Sequence, residues 1–409
     1  MMQTFFETEL CIKCKGKGLC KKPCKIYLKI KNFLPKIKTH FSGKSPPEIF
    51  VGKYNYPNIS AGILSSTNFT DSEKFSYPEI WHKNNFSINE ILINRSKLIY
   101  GKFETSVKET KINKKLLDLM QEISMAYKSV STEFFLKKPP KIKLEINKYS
   151  PLINNQAHLQ YARLQENPKI KPKVDYIVQD SEIKATDAII ELYKNNIEIT
   201  NINKILSAGL LGLKTRKKLV PTRWAITAVD DIISKSLINK IRFYPEINEI
   251  CLFNSEYNGN HYEILLLPEK FSFEVIEVEQ SGSLWNQTKN ISVMQDYEYF
   301  SGRDSYAKNV TGAYYANRLA LCEYLEKIKK QACAIFMREV KPEYYAPLGV
   351  GILREITRKA FNNSPEKFDT IKEALNKAQQ RLKSPISIWT NKSVLLKEFK
   401  KQTRLNKWF

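Results

Sequence analysis

The stretch EICLFNSEYNGNHYEILLLPEKFSFEVIEV, residues 249–278, decides the fold class. Two apolar runs, 249–253 and 262–267, flank Asn258-Gly259. Asn and Gly tolerate positive φ, so this pair predicts a tight turn joining an antiparallel hairpin. Pro268 stops the second run, because proline cannot donate to a strand ladder. Residues 270–278 then alternate Phe271, Phe273 and Val275 with Ser272, Glu274 and Ile276, the signature of a third strand.

Working outward toward the C-terminus, residues 311–330 read as a long helix leading into a strand over 332–340. Toward the N-terminus, Pro221 suits an early helical position. From there Ile226, Val229, Ile233 and Leu237 make an apolar stripe, and Arg223, Thr227, Asp230 and Ser234 a polar one. Ala185, Ala188, Ile189, Leu192 and Tyr193 define another amphipathic helix, with Asp180 or Ser181 available to cap it and Asn195-Asn196 to end it. Residues 175–178 read as a strand and 150–172 as a polar loop with at most a short helix. Residues 133–136 and 141–146 are β-rich and separated by Pro139-Pro140. Residues 87–101 and 111–129 read as helices, 65–90 mostly as loop, and 48–64 as short strands punctuated by Gly52, Pro57 and Gly62.

Helices and strands therefore mix without βαβα alternation, and at least one pairing is antiparallel. The expected class is α+β (mixed α/β), one large domain with a small element before it and a short tail after it. The expected organisation is a basic N-terminal element over 1–47, a main domain over 48–390, and a C-terminal helix with a docking peptide over 391–409. No repeat of 20 to 50 residues is visible.

The chain of 409 residues is 42% hydrophobic and 11% aromatic, a globular composition. With 66 basic and 42 acidic residues it carries a net charge of +24. Such a field draws polyanions, so DNA is an expected partner. A Lys-, Ile- and Asn-rich composition of the AT-rich-genome kind accounts for part of the excess. The apolar runs are too short to span a bilayer, and the first residues lack a signal-peptide pattern. No membrane association is expected; the expected location is the cytoplasm, on the nucleoid.

Cys11, Cys14, Cys20 and Cys24 stand in a C-x2-C-x5-C-x3-C spacing. Four thiolates suit tetrahedral Zn2+, and a C-x2-C turn offers two ligands at once. Gly16 and Gly18 allow the connecting loop to bend, and Lys13, Lys15, Lys17, Lys21, Lys22 and Lys25 favour thiolate over thiol. Structural zinc is the expected cofactor; an iron–sulfur cluster, a redox pair or unligated thiols are the alternatives. The metal ligands expected are the four cysteines. The surrounding lysines, Lys13, Lys15, Lys17, Lys21 and Lys22 among them, are candidates for phosphate contact, unless the knob only packs on the main domain. Cys251, Cys322 and Cys333 read as core thiols.

The chain ends Gln402-Thr403-Arg404-Leu405-Asn406-Lys407-Trp408-Phe409. One 3₁₀ turn places Leu405, Trp408 and Phe409 on one side as an apolar plug, leaving Gln402 to bond backbone in a separate pocket. The competing reading folds the aromatics into the core, against which stand Lys397, Lys400, Lys401, Arg404 and Lys407. The pattern looks like the peptide by which proteins dock on the sliding clamp PCNA, with Gln402, Leu405, Trp408 and Phe409 as the partner-binding residues.

Several blocks resemble the archaeal Nre proteins, implicated in DNA repair: VGKYNYPNISAGIL (51–64), NRS (94–96), ILSAGLLG (205–212), RKKLVPTRWAITAVDD (216–231), GRDSYAKNVTGAYYANRLALCEYL (302–325) and QACAIFMREV (331–340). Ala313 and Leu321 depart from the expected Gly and Val, and 65–90 is shortened or diverged. The resemblance covers nearly the whole chain. It implies repair and clamp binding without implying a settled reaction. The expected function is a clamp-recruited DNA repair protein that binds nucleic acid. The alternative is a nuclease or nucleotide-processing enzyme delivered by the same tail.

Catalytic residues are not legible, and five are candidates. Arg223, Asp230 and Asp231 lie on the central helix, two turns separating Arg223 from Asp230, and a structural polar network uses the same residue types. Arg303 and Glu323 belong to a second polar set with Tyr306, Tyr314, Tyr315 and Arg318. Interleaved Tyr and Arg suit base stacking and phosphate grip, which makes Arg303 and Arg318 nucleic-acid candidates; helix packing explains them as well. No phosphate loop, dinucleotide fingerprint or H-E-x-x-H is present, and four histidines leave little for a histidine-based metal site. A carboxylate two-metal site drawing on Asp230, Asp231, Glu274 and Glu277 stays open.

Overall fold

A computed structural model describes residues 10–19, 23–70, 72–107 and 113–401. The described residues divide into two compact units, one within 11–233 with 346–351, the other within 234–345 with 352–401 and Leu10. Each contains helices and a mixed sheet, so the α+β expectation holds.

The first unit opens with two short helices, α1 (Leu10–Cys14) and α2 (Lys25–Ile30). Its seven-stranded sheet comprises β1 (His40–Ser45), β2 (Ile49–Val51), β3 (Asn58–Ser66), β4 (Leu98–Ser106), β5 (Val130–Leu136), β6 (Lys141–Glu145) and β7 (Ile153–Leu164), in the order β1-β5-β7-β4-β3-β2 with β6 also on β7. Only β4–β7 is parallel. β1 returns beside the end of β3, where Lys44 N–H donates to Asn68 O at 2.8 Å. Gly43 is required there, since a Cβ would sit 1.9 Å from the Ser66 carbonyl oxygen. Ile59, Ile63, Ile99, Phe103 and Phe134 line one face of the sheet. Leu116, Met120 and Ile123 of helix α5 (Lys114–Met125) cover them, α3 (Pro78–Lys83) and α4 (Ile88–Ser96) preceding it in the chain. Arg95, from the NRS block, is buried and donates to Leu152 O at 2.9 Å, Phe75 O at 3.0 Å and Glu48 at 2.5 Å.

Several expectations need correction here. The helix expected over 87–101 ends at Ser96, and residues 98–101 begin β4. Leu98, Ile99 and Tyr100 are all buried, as in a strand flanked on both edges by β3 and β7. The loop expected over 150–172 contains β7, the longest strand. Its polar residues hid it: Asn155 is buried because its amide donates to Ser96 O and Leu98 O at 2.7 and 3.0 Å. The strand expected at 175–178 is instead helix α6 (Pro172–Gln179), where Pro172 starts the first turn and Val174 and Ile177, three apart, bury one face. α7 (Ala185–Lys194) has Lys184 at its N-cap position, with no side-chain cap hydrogen bond, where Asp180 or Ser181 was expected. Asp180 spends its carboxylate on Glu182 and Ile183 N–H groups in the preceding turn. Asn195 does end α7. The region 65–90, expected as loop, carries α3. α8 (Ile199–Ser207) follows, and the division between units falls within α9 (Thr222–Ile241).

In the second unit the strands are β8 (Ile250–Tyr257), β9 (Asn260–Leu267), β10 (Ser272–Glu279), β11 (Ser292–Glu298), β12 (Cys333–Val340) and β13 (Glu366–Phe368), ordered β11-β10-β12-β9-β8-β13. β8–β9 is the expected hairpin, with Asn258 at φ 49° and Gly259 at φ 75°, the two positive values that a type I′ turn needs. Every residue of β9, β10 and β12 is buried, because both faces of the sheet are covered. α10 (Thr311–Ile328) and α11 (Gly351–Asn362) lie on the Tyr262–Phe336 face, while α12 (Ile371–Gln379), α13 (Ile386–Lys392) and α14 (Leu395–Lys401) cover Leu265, Ile276 and Ile335 on the other. Among the described residues no helix is long and apolar enough to cross a membrane.

Candidate nucleic-acid interface

Within the first unit, the β2–β3 turn meets the start of α9. Val51 N–H donates to Thr222 Oγ1 at 2.9 Å, and Ser207 Oγ lies 3.1 Å from the same hydroxyl. Ser207 also donates to Val220 O at 2.8 Å. Gly52 N–H reaches Ser60 O at 2.8 Å, and Pro57 O accepts from Val107 N–H at 3.0 Å. The turn is thus tied at both ends, while Tyr54 and Tyr56 at its tip stay 66% and 44% exposed. Within the first turn of α9, Trp224 is 46% exposed, its ring centroid 5.9 Å from that of Tyr56.

Two cations stand with these rings. Lys53 Nζ is 5.3 Å from the Tyr54 centroid. Arg223 lies across Tyr149, its Cζ 4.2 Å from the ring centroid, with Nη2 donating to the phenol oxygen at 2.7 Å. Burial and then the Arg223 charge hold the Lys53 amine below its ordinary value. Among the described residues neither cation pairs with a carboxylate. Two like charges brought together without an acid between them suit an anionic ligand.

The other expected site residues lie in separate settings. Asp230 is fully buried and Asp231 half-buried. Thr227 Oγ1 bonds back to the Arg223 and Trp224 carbonyls at 3.3 and 3.2 Å. In the second unit, Arg318 is 2% exposed; it donates to both Glu298 oxygens at 3.2 and 3.0 Å and to Ser234 Oγ at 3.1 Å. Arg303 donates to Tyr297 O at 2.7 Å, Ser305 O at 3.1 Å and Asp296 at 3.2 Å. Asp296 in turn accepts from Asn309 and Val310 N–H at 2.8 and 2.7 Å, where α10 begins. Glu323 holds Arg358 through two bonds of 2.8 and 2.7 Å. Glu277 pairs with Arg338, and Glu274 accepts from Ser393, Gln295 and Val394. Arg318–Glu298 thus ties α10 to β11, Glu323–Arg358 joins α10 to α11, and Glu277–Arg338 joins β10 to β12.

At the N-terminus, Cys11 and Cys14 belong to α1 and Cys24 precedes α2. Lys15 N–H donates to Cys11 O at 3.0 Å and Lys17 N–H to Cys14 O at 2.8 Å. Lys15, Gly16 and Gly18 adopt φ of 46°, 79° and 83°, a tight reversal after Cys14. Lys15 pairs with Glu145 at 3.0 Å, whereas Lys13 and Lys17 are exposed. Cys20, Lys21 and Lys22 lie outside the described residues, as do Gln402, Leu405, Trp408 and Phe409. Among the described residues no three His, Cys, Asp or Glu are grouped to hold a metal.

A family model described as "Archaeal Nre, N-terminal" matches residues 19–286, and another, "Archaeal Nre, C-terminal", matches residues 298–408. The chain belongs to the archaeal Nre family. It is similar to "DNA repair protein NreA" of Archaeoglobus fulgidus, 37% identical over 91% of this chain and 94% of that one. It is 32% identical to "DNA repair protein NreB" of the same organism over 96% of this chain and 98% of that one. The NreA protein of Haloferax volcanii is 32% identical, over 85% and 83% of the two chains. No solved structure matches the chain. Both segments of the interface, residues 51–64 and 216–231, lie inside the N-terminal Nre region. Periodicity had singled out Arg223; it missed Lys53, Tyr54, Tyr56, Tyr149 and Trp224. The available signal was Trp224, a large aromatic among polar neighbours in the first turn after Pro221.

Proposed function

We propose that this protein is a DNA repair factor that binds DNA and is brought to it by the sliding clamp PCNA through residues 402–409. The repair role is carried by its similarity, along nearly the whole chain, to relatives named DNA repair proteins. The recruitment step is carried by the terminal Q-x-x-L-x-x-W-F pattern with basic flanks, a short peptide with aromatic anchors for one pocket. The charge of +24 supports contact with DNA.

Calorimetric titration of the purified clamp with full-length protein and with a 402–409 deletion tests recruitment. Micromolar binding that disappears with the tail supports it, and binding indifferent to the deletion refutes it.

Cys11, Cys14, Cys20 and Cys24 form the donor set proposed for a structural zinc ion, whose role is to hold a short basic knob together. The reversal after Cys14 suits two thiolates from one turn. Protein purified without added metal is expected to carry one zinc per chain, lost on Cys14→Ser; metal-free protein with an unchanged melting curve contradicts the assignment.

A further inference from the structure

We propose that the exposed rings of Tyr54, Tyr56 and Trp224, with Lys53 and Arg223 beside them, form a binding site for single-stranded DNA. Bases stack on the rings and phosphates sit on the cations. This deepens the DNA-binding reading above and rests on it.

Three observations carry the site. The rings are the first. Tyr54, Tyr56 and Trp224 leave 66%, 44% and 46% of their surface in water. An exposed aromatic face is a stacking surface for any base, and a base can reach it only when it is out of a duplex. That argues for a single strand over a double helix.

The cations are the second. Lys53 stands 5.3 Å from the Tyr54 ring centroid and Arg223 4.2 Å from that of Tyr149, neither with a carboxylate partner among the described residues. Backbone phosphates would supply the missing countercharge. An acidic peptide would satisfy the cations but has no flat ring system for three aromatic faces.

The third is rigidity. The turn is anchored by the Val51–Thr222, Gly52–Ser60 and Pro57–Val107 hydrogen bonds, and Arg223 is held across Tyr149. A platform fixed before binding loses little freedom when the ligand arrives.

The test is fluorescence anisotropy with a labelled oligothymidylate twelve-mer, the matching duplex and an oligouridylate of equal length, on the full chain. Trp224→Ala and Tyr56→Ala are each expected to weaken single-strand binding roughly five- to a hundredfold, with duplex binding and the melting temperature nearly unchanged. Trp224→Phe, which keeps a ring, should retain most of the affinity. Lys53→Ala should flatten the dependence of log affinity on log salt by about 0.7. Alanine variants that bind the single strand like the wild type overturn the site while leaving DNA binding elsewhere intact. A wild type that binds no single strand overturns it whatever the clamp titration shows. Equal losses on single strand and duplex reduce it to charge alone and overturn stacking. Preference for the uridylate overturns the assignment to DNA.

Discussion

Lys204 sits in α8 with 7% of its surface exposed, its amine 3.9 Å from the Tyr77 ring centroid. Burial lowers its pKa from 10.5 to about 8, against the smaller opposing pull of Glu48 and Glu79. The sign follows from proton counting. Between about 8 and 10.5 the unfolded chain holds a proton on this lysine that the folded chain has released, so stability rises with pH across that window. Tyr77, pushed well above its ordinary value by burial, acts in the opposite sense above pH 10. Urea denaturation of wild type and Lys204→Met should therefore diverge at pH 7 and converge by pH 10, by on the order of 3 kcal/mol at about 1.4 kcal/mol per pH unit. Parallel curves would mean that the amine keeps its ordinary pKa in the folded chain. Arg318 offers a second prediction at this scale. Arg318→Ala leaves Glu298 buried without its cation, at a cost of about 3–5 kcal/mol, whereas Arg303→Ala, which removes an 18% exposed side chain and leaves Asp296 the Asn309 and Val310 N–H donors, should cost clearly less. The same residue shows how far sequence reaches. Its Tyr and Arg neighbours are equally those of a base-binding surface and of a helix packed on a sheet. Only burial separates the two, and burial is set by residues far away in the chain. Lys53 and Arg223 illustrate the converse: neither signals the other in the sequence, and only the fold joins their neighbours Val51 and Thr222 through a hydrogen bond.

At the level of elements, the β8–β9 hairpin is the most sharply testable. Gly259 holds φ 75°, and a Cβ there would lie 2.6 Å from the Tyr344 nitrogen. Gly259→Ala is expected to cost about 1–3 kcal/mol, read as a lowered thermal midpoint, while Asn258→Gly should be nearly neutral. An alanine variant as stable as wild type would mean the turn is not of this type. This hairpin, α10 and β12 were legible because local signals agree with the tertiary setting: a turn pair between apolar runs, and long periodic segments. β7 was not legible, since Asn154, Asn155, Gln156 and His158 spell a loop until the carbonyls that accept from Asn155 are in place. α6 misled in the other direction. Its Tyr176-Ile177-Val178 favours a strand by propensity, yet Pro172 and the burial of Val174 and Ile177 make one helical turn more favourable.

At the scale of the whole molecule, the net charge of +24 and the 402–409 pattern support the proposal of a protein that works on a polyanion while held to a partner. In the proposed function, charge supplies encounter and a steep salt dependence, the tail would supply address, and the stacking platform would supply preference for unpaired bases. Linking a clamp contact to a DNA contact raises affinity without any new interface, provided both engage together. The proposal stands or falls on that coupling. It is tested most directly by equilibrium binding to clamp loaded on a primed template with a single-stranded gap, comparing wild type, the 402–409 deletion and Trp224→Ala. The wild type is expected to bind tightest, the deletion to fall to the affinity of the DNA contact alone, and Trp224→Ala to bind loaded clamp but lose the gain from the gap. Equal binding by all three proteins would contradict it.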